Sequence, residues 1–128
     1  MAAALEVLAA DLGFLTRAYE LVADGRRVMR WVYAYGYFLD PERDAAKRGL
    51  FDHLQGDANR SLERLHGCAE GERKELCATA MGASPAEIAR RYRSYKKKLE
   101  NLTEVTRRYF ENLVKAFETD LAEVKPAK

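Results

Sequence analysis

The residue types that most often build metal and nucleophilic sites are sparse in this chain, and their spacing suits neither chemistry. His66, Cys68 and Cys77 are the soft ligands nearest to one another, whereas a structural zinc site usually carries paired ligands two to four residues apart, twice over. On a helix, the side chains of His66 and Cys68 diverge by about 200°, so the histidine is badly placed to activate the thiol. We therefore interpret both cysteines as small, partly buried thiols on a helix.

Other catalytic arrangements are equally poorly supported by the sequence. His53 has no acidic partner placed to orient it as a general base, although Asp57 lies four residues later and is within its reach on a helix. No glycine-rich phosphate loop is present. The many neighbouring acids are typical of solvated helix faces at this charge density. We predict that this chain is not an enzyme and holds no cofactor.

A basic stretch at 89–100 reads ARRYRSYKKKLE, and cations interleaved with aromatic residues can bind nucleic acid. However, Tyr92 and Tyr95 fall on the apolar seam of a predicted helix, so their rings belong to the core. A solvated face is favoured, followed by a docking patch for an acidic protein surface, and nucleic acid is the least favoured partner. The candidate docking residues of this stretch are Arg90, Arg91 and Lys97.

Length and composition narrow the classes of protein. The chain has 128 residues, of which 48% are hydrophobic and 33% charged, and its 22 basic and 20 acidic residues leave a net charge of +2. These values suit one soluble domain. The net charge is too small to attract the chain strongly to nucleic acid or to an anionic membrane. Two cysteines are too few for a disulfide framework, and the apolar start lacks the basic flank of a signal peptide. We expect one domain over 1–128 in the cytoplasm or the nucleus, with no membrane partner.

Apolar residues recur every three or four positions in three stretches, which predicts helices at about 3–39, 41–78 and 85–121. The third stretch is the most regular. Its seam consists of Ile88, Tyr92, Tyr95, Leu99, Leu102, Thr106, Tyr109, Leu113 and Ala116. Because short connections join antiparallel neighbours, the predicted fold is all-α, an elongated antiparallel bundle of three long helices.

Local signals mark the helix ends and one weak point. Gly25 costs about 1 kcal/mol relative to alanine inside a helix, which makes it the weak point of the first helix. The sequence leaves open whether the helix kinks or breaks there. Asp40 is a suitable N-cap for the second helix, and Pro41 suits its first position. Ser84 and Pro85 provide the same pair of signals for the third helix.

Residues 31–39 read WVYAYGYFL and form an aromatic end of the first helix. One predicted stripe consists of Val32, Tyr35 and Leu39. Gly36 beside it gives a neighbouring helix room to approach, while Tyr33 and Tyr37 lie on an adjoining face and are expected to be hydrogen-bonded or half-exposed. Trp31 is the expected anchor in the core, where truncation to alanine would cost about 3–5 kcal/mol.

Three motifs together resemble a known family. RRVMRWVYAYGYFL, GDANRSLERLHGCAE and LTEVTRRYFENLVKAFETDL follow one another between residues 26 and 121. Their order and spacing resemble the C-terminal Ariadne domain of plant Ariadne-type RING-between-RING ubiquitin ligases. The segment before Arg26 fits the start of the same helix more loosely.

The resemblance implies a regulatory role without catalysis. Ariadne domains fold over the second RING of their ligase, block its catalytic cysteine and help the ligase to dock neddylated cullin-RING ligases. It also implies that the zinc-binding RINGs and the catalytic cysteine lie outside this chain, so Cys68 and Cys77 are not that cysteine. Glu63 matches an acid that faces the second RING in relatives, and Asp57 precedes it on the same predicted helix.

Two other functions remain open at this point. A stand-alone helical module could present a surface to an outside protein, such as a pathogen effector, without any autoinhibition. A basic helical nucleic-acid binder depends only on residues 90–98, and its affinity would fall steeply with salt.

Overall fold

The chain forms an all-α bundle, as predicted, in a computed structural model that describes residues 12–121. Helices α1 (Gly13–Tyr37), α2 (Ala45–Gly67) and α4 (Pro85–Glu118) pack against one another, and a π-helical turn (Cys68–Glu72) connects α2 to the short helix α3 (Arg73–Ala80). The predicted start of the first helix near residue 3 lies outside the described residues. Within 12–121, no helix has the length and hydropathy needed to cross a membrane.

The three long helices run up, down and up. Phe14 near the start of α1 meets Tyr95 in the first half of α4, and Tyr35 near the end of α1 meets Phe117 near the end of α4. Helices α1 and α4 are therefore parallel. Tyr109 Oη donates a hydrogen bond to the Leu54 carbonyl oxygen (3.1 Å), while Tyr95 Oη reaches the Ala69 carbonyl oxygen (2.9 Å). The run from α2 through α3 is consequently antiparallel to α4, as predicted.

The second helix begins later than predicted, because Asp40 caps a tight turn instead of a helix. Its Oδ1 accepts hydrogen bonds from the backbone N–H groups of Glu42 (2.9 Å) and Arg43 (2.8 Å). Residues 41–44 form turns, and α2 starts only at Ala45. The start of α4 is confirmed, since Ser84 Oγ accepts a hydrogen bond from the Glu87 N–H (3.2 Å) and Pro85 is the first helical residue.

The core divides into two clusters along the bundle axis. The first, at the end where α1 finishes, contains Met29, Val32, Leu39, Phe51, Ala58, Leu62, Phe110, Leu113 and Leu121. The second, around the π-helical turn, contains Phe14, Ala18, Val22, Leu65, Cys68, Ala69, Tyr95 and Leu99. The predicted seam of α4 faces both clusters, with Leu99 wholly inaccessible and Leu113 nearly so.

Two glycines of α1 allow α2 to approach closely. A Cβ atom on Gly25 would lie 2.5 Å from Leu62 Cδ2, and one on Gly36 would lie 2.6 Å from Phe51 Cε1. The predicted role of Gly36 is confirmed. The question of a break at Gly25 is answered, because α1 continues through this residue and the closely packed Leu62 covers it.

The aromatic end of α1 is only partly buried. Val32 and Leu39 lie in the core, and Tyr33 is half-exposed and accepts a hydrogen bond from Asn59 Nδ2 (3.0 Å), as predicted. The same expectation is wrong for Tyr37, which is 84% exposed. The prediction that Trp31 anchors the core is wrong, since 80% of its surface is exposed. The face of α1 that packs against α2 and α4 follows Gly25, Met29, Val32 and Gly36, which turns Trp31 toward solvent.

The ends of α1, α2 and α4 are tied together by one carboxylate. Asp120 accepts hydrogen bonds from Tyr35 Oη (2.6 Å) and Lys47 Nζ (3.0 Å). Asp120 and Leu121 both adopt a left-handed backbone, with φ values of 55° and 54°. This turn directs Leu121 back into the first core cluster, where it is fully buried.

Stability is expected to fall in acid through three aspartates. Backbone N–H donors lower the pKa of Asp40 and Asp44, and hydrogen bonds from Tyr35 and Lys47 lower that of Asp120. A folded-state pKa below the unfolded value of about 3.9 stabilises the protein above that pH, and the contribution disappears as the pH falls through the folded value. Urea unfolding between pH 7 and pH 2 should show that the free energy of unfolding falls in acid. The fall should be smaller in Asp120→Asn than in the unmodified chain. An equal pH dependence in both proteins would contradict the role of Asp120.

Candidate protein-interaction surface

The thiols and imidazoles do not assemble a reactive centre within the described residues. Cys68 is buried and donates its S–H to Glu72 Oε2 (2.7 Å); burial raises the pKa of this thiol to about 12, so it remains protonated at neutral pH. Cys77 is exposed on α3, so the interpretation of both cysteines as partly buried thiols is wrong for Cys77. His66 packs edge-on against Tyr19. Between residues 12 and 121, no three His, Cys, Asp or Glu residues are grouped so that they could hold a metal ion.

The π-helical turn is held in place by polar contacts with its neighbours. The hydrogen bonds run from Tyr19 Oη to Glu70 Oε1 (2.6 Å), from Tyr95 Oη to the Ala69 carbonyl oxygen (2.9 Å) and from Lys98 Nζ to Glu72 Oε1 (2.8 Å). These contacts fasten the turn to both α1 and α4. The polar side chains in this region therefore hold the turn against its neighbouring helices.

The basic stretch presents cations without an aromatic stacking platform. Tyr95 is buried, and Tyr92 is half-buried with its ring edge-on to Phe14. Both tyrosines lie on the seam, as predicted. Arg91 pairs with Glu87 at 2.9 Å and Arg90 approaches the same carboxylate at 3.5 Å. Stacking on aromatic rings is what holds single-stranded bases, and this stretch does not present its tyrosine rings for such stacking.

The two candidate acids on α2 differ in their surroundings. Asp57 is half-buried, pairs with His53 (Nε2 to Oδ2, 3.1 Å) as the i,i+4 spacing predicts, and also binds Arg60. Glu63 is exposed and forms no ion pair with another described residue. Its carboxylate is therefore open to donors on a partner.

The five candidate residues do not converge on one site. Asp57 lies near Tyr109 in the second half of α4. Burial is the main cause that raises the pKa of the Tyr109 phenol, and the charge of Asp57 raises it further. Arg91 instead lines a shallow cleft with residues of α3. The distance along α4 from Arg91 to Tyr109 is about 27 Å, so Asp57 and Arg91 lie on separate parts of the surface.

An apolar groove between α1 and α4, which we term the α1/α4 groove, was missed by the sequence interpretation. It encloses about 560 Å³, and none of its lining residues comes from α2. The lining consists of Val28, Trp31, Val32, Ala34, Tyr35, Phe38, Val114, Phe117 and Glu118. Trp31 and Phe38 are about four-fifths exposed, at 80% and 79%. These two side chains are the most exposed apolar residues of the groove.

A signal for the groove was present in the sequence. Val28, Trp31, Tyr35 and Phe38 recur at steps of three and four, which makes a second apolar stripe beside the buried stripe of α1. Periodicity alone does not tell which of two adjacent stripes faces the core. Trp31, which has the largest side chain of the stripe, was therefore wrongly predicted to lie in the core.

The fold and its surface define a helical bundle with an exposed apolar groove. No family model and no solved structure matches the chain. Curated relatives do match. In Arabidopsis thaliana they include "Probable E3 ubiquitin-protein ligase ARI10", 46% identical over 114 residues, and "Probable E3 ubiquitin-protein ligase ARI7", 45% identical over 114 residues. Each alignment covers 89% of this chain, but only 21% and 19% of the respective relative.

A more distant relative lies outside plants. "Probable E3 ubiquitin-protein ligase rbrA" of Dictyostelium discoideum is 29% identical over 109 residues, which cover 85% of this chain and 19% of that protein. The chain thus spans about a fifth of the length of the curated relatives it matches. It is homologous to a segment of the plant Ariadne-type RING-between-RING ubiquitin ligases, which confirms the resemblance carried by its motifs.

Proposed function

We propose that this chain is the Ariadne domain of a RING-between-RING ubiquitin ligase, that it is non-catalytic, and that it regulates the ligase by covering its second RING. The observation that carries the proposal is the identity of 46% with a plant ubiquitin ligase across 89% of the chain. The protonated, buried thiol of Cys68 supports a role without catalysis. The catalytic cysteine would then lie elsewhere in the parent ligase.

Glu63 would make the contact with the second RING. Its exposed carboxylate has no ion-pair partner among the described residues, so binding breaks no existing pair. Asp57, already engaged by His53 and Arg60, would contribute less. Charges at the rim of an interface mainly set the association rate and the specificity.

The basic stretch would serve a different partner, a neddylated cullin-RING ligase with an acidic surface. Lys97 is exposed and forms no ion pair with another described residue, while Arg90 and Arg91 share the single carboxylate of Glu87. The patch thus retains net positive charge. Because the patch lies on α4 and Glu63 on α2, the two partners would contact different helices.

The Glu63 contact can be tested by charge reversal. Glu63→Lys should weaken binding of the isolated second RING of the parent ligase about tenfold, because a cation replaces the acceptor. Isothermal titration calorimetry at low salt measures the affinity. Glu100→Lys provides the matched control, since Glu100 is an exposed acid on α4 that also lacks an ion pair with a described residue. Equal losses in both variants, or no binding by the unmodified chain, would contradict the proposal.

A second function, recognition of an outside protein partner, is supported by the α1/α4 groove. This surface is formed by α1 and α4, whereas Glu63 belongs to α2. The two functions are therefore compatible in one domain.

A further inference from the structure

We propose that α3, together with Glu72 directly before it, is an autoinhibitory cover that holds acidic side chains against part of the basic stretch of α4 and swings away when an acidic partner binds. We term residues 72–81 the α3 cover. This regulation rests on the proposed function, in which the basic stretch contacts an acidic surface. Three features of the structure support it, namely the charges on the two sides of one cleft, the loose packing of α3 and the glycines at its ends.

Charges of opposite sign line the two sides of the cleft between α3 and α4. The cleft encloses about 380 Å³, and Glu72 and Glu75 lie on its α3 side. Arg91 and Lys98 lie on its α4 side. Lys98 Nζ donates a hydrogen bond to Glu72 Oε1 (2.8 Å), which raises the pKa of the Lys98 ammonium, and the charge of Glu75 raises it further. The α3 cover thus supplies the carboxylates that an acidic partner would otherwise bring to Lys98.

Helix α3 is packed loosely against the rest of the bundle. None of its eight residues is buried, and within the described part of the chain it packs against α4 and the π-helical turn but not against α1 or α2. Leu76 packs against the second core cluster and is only half-buried. Arg73 Nε, at the start of α3, is buried without a hydrogen-bond partner among the described residues, which costs free energy. An element with few buried apolar contacts opens at a lower free energy than the whole bundle.

A glycine lies at each end of the α3 cover. Gly71 in the π-helical turn and Gly82 after α3 are exposed, and open space surrounds the position where a side chain would lie. Backbone rotation at a glycine meets few steric limits, and helices bend at π-helical turns. The start of the turn stays fastened to α4, because Tyr95 Oη donates a hydrogen bond to the Ala69 carbonyl oxygen. The α3 cover can therefore rotate about its two glycines while α2 and α4 keep their packing.

Part of the basic stretch remains accessible when the α3 cover is closed. Arg93 and Lys97 are exposed and form no ion pair with another described residue. These two cations would attract an acidic partner before the cover moves. Opening of the cover then releases Lys98 from Glu72 and exposes the side of Arg91 that lines the cleft. The closed cover therefore weakens the binding of an acidic partner without blocking the first contact.

Hydrogen exchange of the chain alone, followed by mass spectrometry, measures the opening. Backbone amides of α3 should exchange about tenfold faster, or more, than those of α2 and α4. Leu76→Ala should accelerate exchange in α3 by about a further tenfold, because it removes the contact with the second core cluster. Cys77→Ala truncates an exposed side chain of the same helix and should leave the exchange unchanged. Equal effects of the two substitutions, or exchange of α3 at the rate of α2, would contradict the loose attachment of the cover.

An acidic peptide tests the competition for the basic stretch. A labelled peptide of about 12 residues that alternates glutamate and glycine serves as the probe, and fluorescence anisotropy at low salt measures its affinity. The double variant Glu72→Gln/Glu75→Gln should bind the peptide about fivefold more tightly than the unmodified chain, since the cover no longer competes for the cations of α4. The matched control Glu20→Gln/Glu100→Gln removes the same charge from another cleft beside α4 and should gain less than about twofold.

Hydrogen exchange with the peptide bound distinguishes displacement of the cover from binding on top of it. Exchange should slow in residues 89–100 and should quicken about tenfold in α3, because the peptide displaces the cover. Slower exchange in α3 on binding, or equal gains in affinity for the two double variants, would overturn the inference.

Failure of the cover is distinguishable from failure of the proposed partner. If the peptide results hold but a neddylated cullin-RING ligase does not bind the chain, the proposed partner is wrong and the cover stands. If the cullin-RING ligase binds and the two double variants bind the peptide equally, the cover is wrong and the proposed partner stands. No binding of the peptide by any variant would contradict both.

Discussion

Replacement of Phe51 by alanine is expected to lower the free energy of unfolding by about 3–5 kcal/mol, the range typical of a buried phenylalanine. Phe51 is 4% exposed, and its ring lies over Gly36 and against the rings of Tyr35 and Phe117. Truncation would leave a cavity where all three long helices meet. Urea unfolding followed by circular dichroism measures the change. Phe38→Ala is the control, since an exposed side chain should contribute within about 0.5 kcal/mol.

The contact between Phe51 and Gly36 can be isolated by a double-mutant cycle. Gly36→Ala alone should cost about 1–3 kcal/mol, because the new methyl group overlaps the Phe51 ring. In the Phe51→Ala background the same substitution should be neutral or stabilising by up to about 1 kcal/mol, since alanine favours a helix over glycine. Additive effects of the two substitutions would show that the close approach of α1 and α2 does not depend on this pair.

Replacement of Leu65 by alanine should cost about 2–5 kcal/mol, because the side chain is fully inaccessible in the second core cluster. Leu65 lies on α2 just before the π-helical turn, and its cluster includes Phe14 and Leu99. The cavity would therefore weaken the contacts of α1, α2 and α4 at once. Chemical unfolding monitored by far-ultraviolet circular dichroism gives the magnitude.

Leu62→Ala is the matched comparison for this substitution. Leu62 is equally buried one turn earlier, but it belongs to the first core cluster. If the bundle unfolds as one cooperative unit, both variants should show a single transition and losses of similar size. A second transition in Leu65→Ala, absent from Leu62→Ala, would mean that the two clusters unfold independently.

The sequence was sufficient to predict α4, because its signals are local and agree with one another. The seam from Tyr95 to Leu113 and the cap at Ser84 are both present as predicted. The predicted start of the second helix was wrong, and the reason for this error is also local. Asp40 is a good cap for a helix and for a tight turn, and the turn is favoured here because the buried Asp44 carboxylate accepts a hydrogen bond from the Asp40 N–H.

The α1/α4 groove could not be predicted in the same way. Its lining residues come from two helices that are distant in sequence, and their juxtaposition depends on the rotation of α1 about its own axis. That rotation is fixed by Gly25 and Gly36, which bring the α2 side of the helix into close contact. Gly25 was interpreted as a weak point of α1, although it serves the packing against Leu62.

The π-helical turn has a consequence for how the length of this chain can vary. A residue removed from a regular helix rotates everything beyond it by about 100°, which would turn Leu62 or Leu99 away from the core. A π turn already holds one residue more than an α turn. Gly71 is exposed and surrounded by open space. Its loss would convert the turn to regular α-helix, and α3 would still present the same face to the core. Single-residue deletions along the helical run from α2 to α3 are thus best tolerated at this turn.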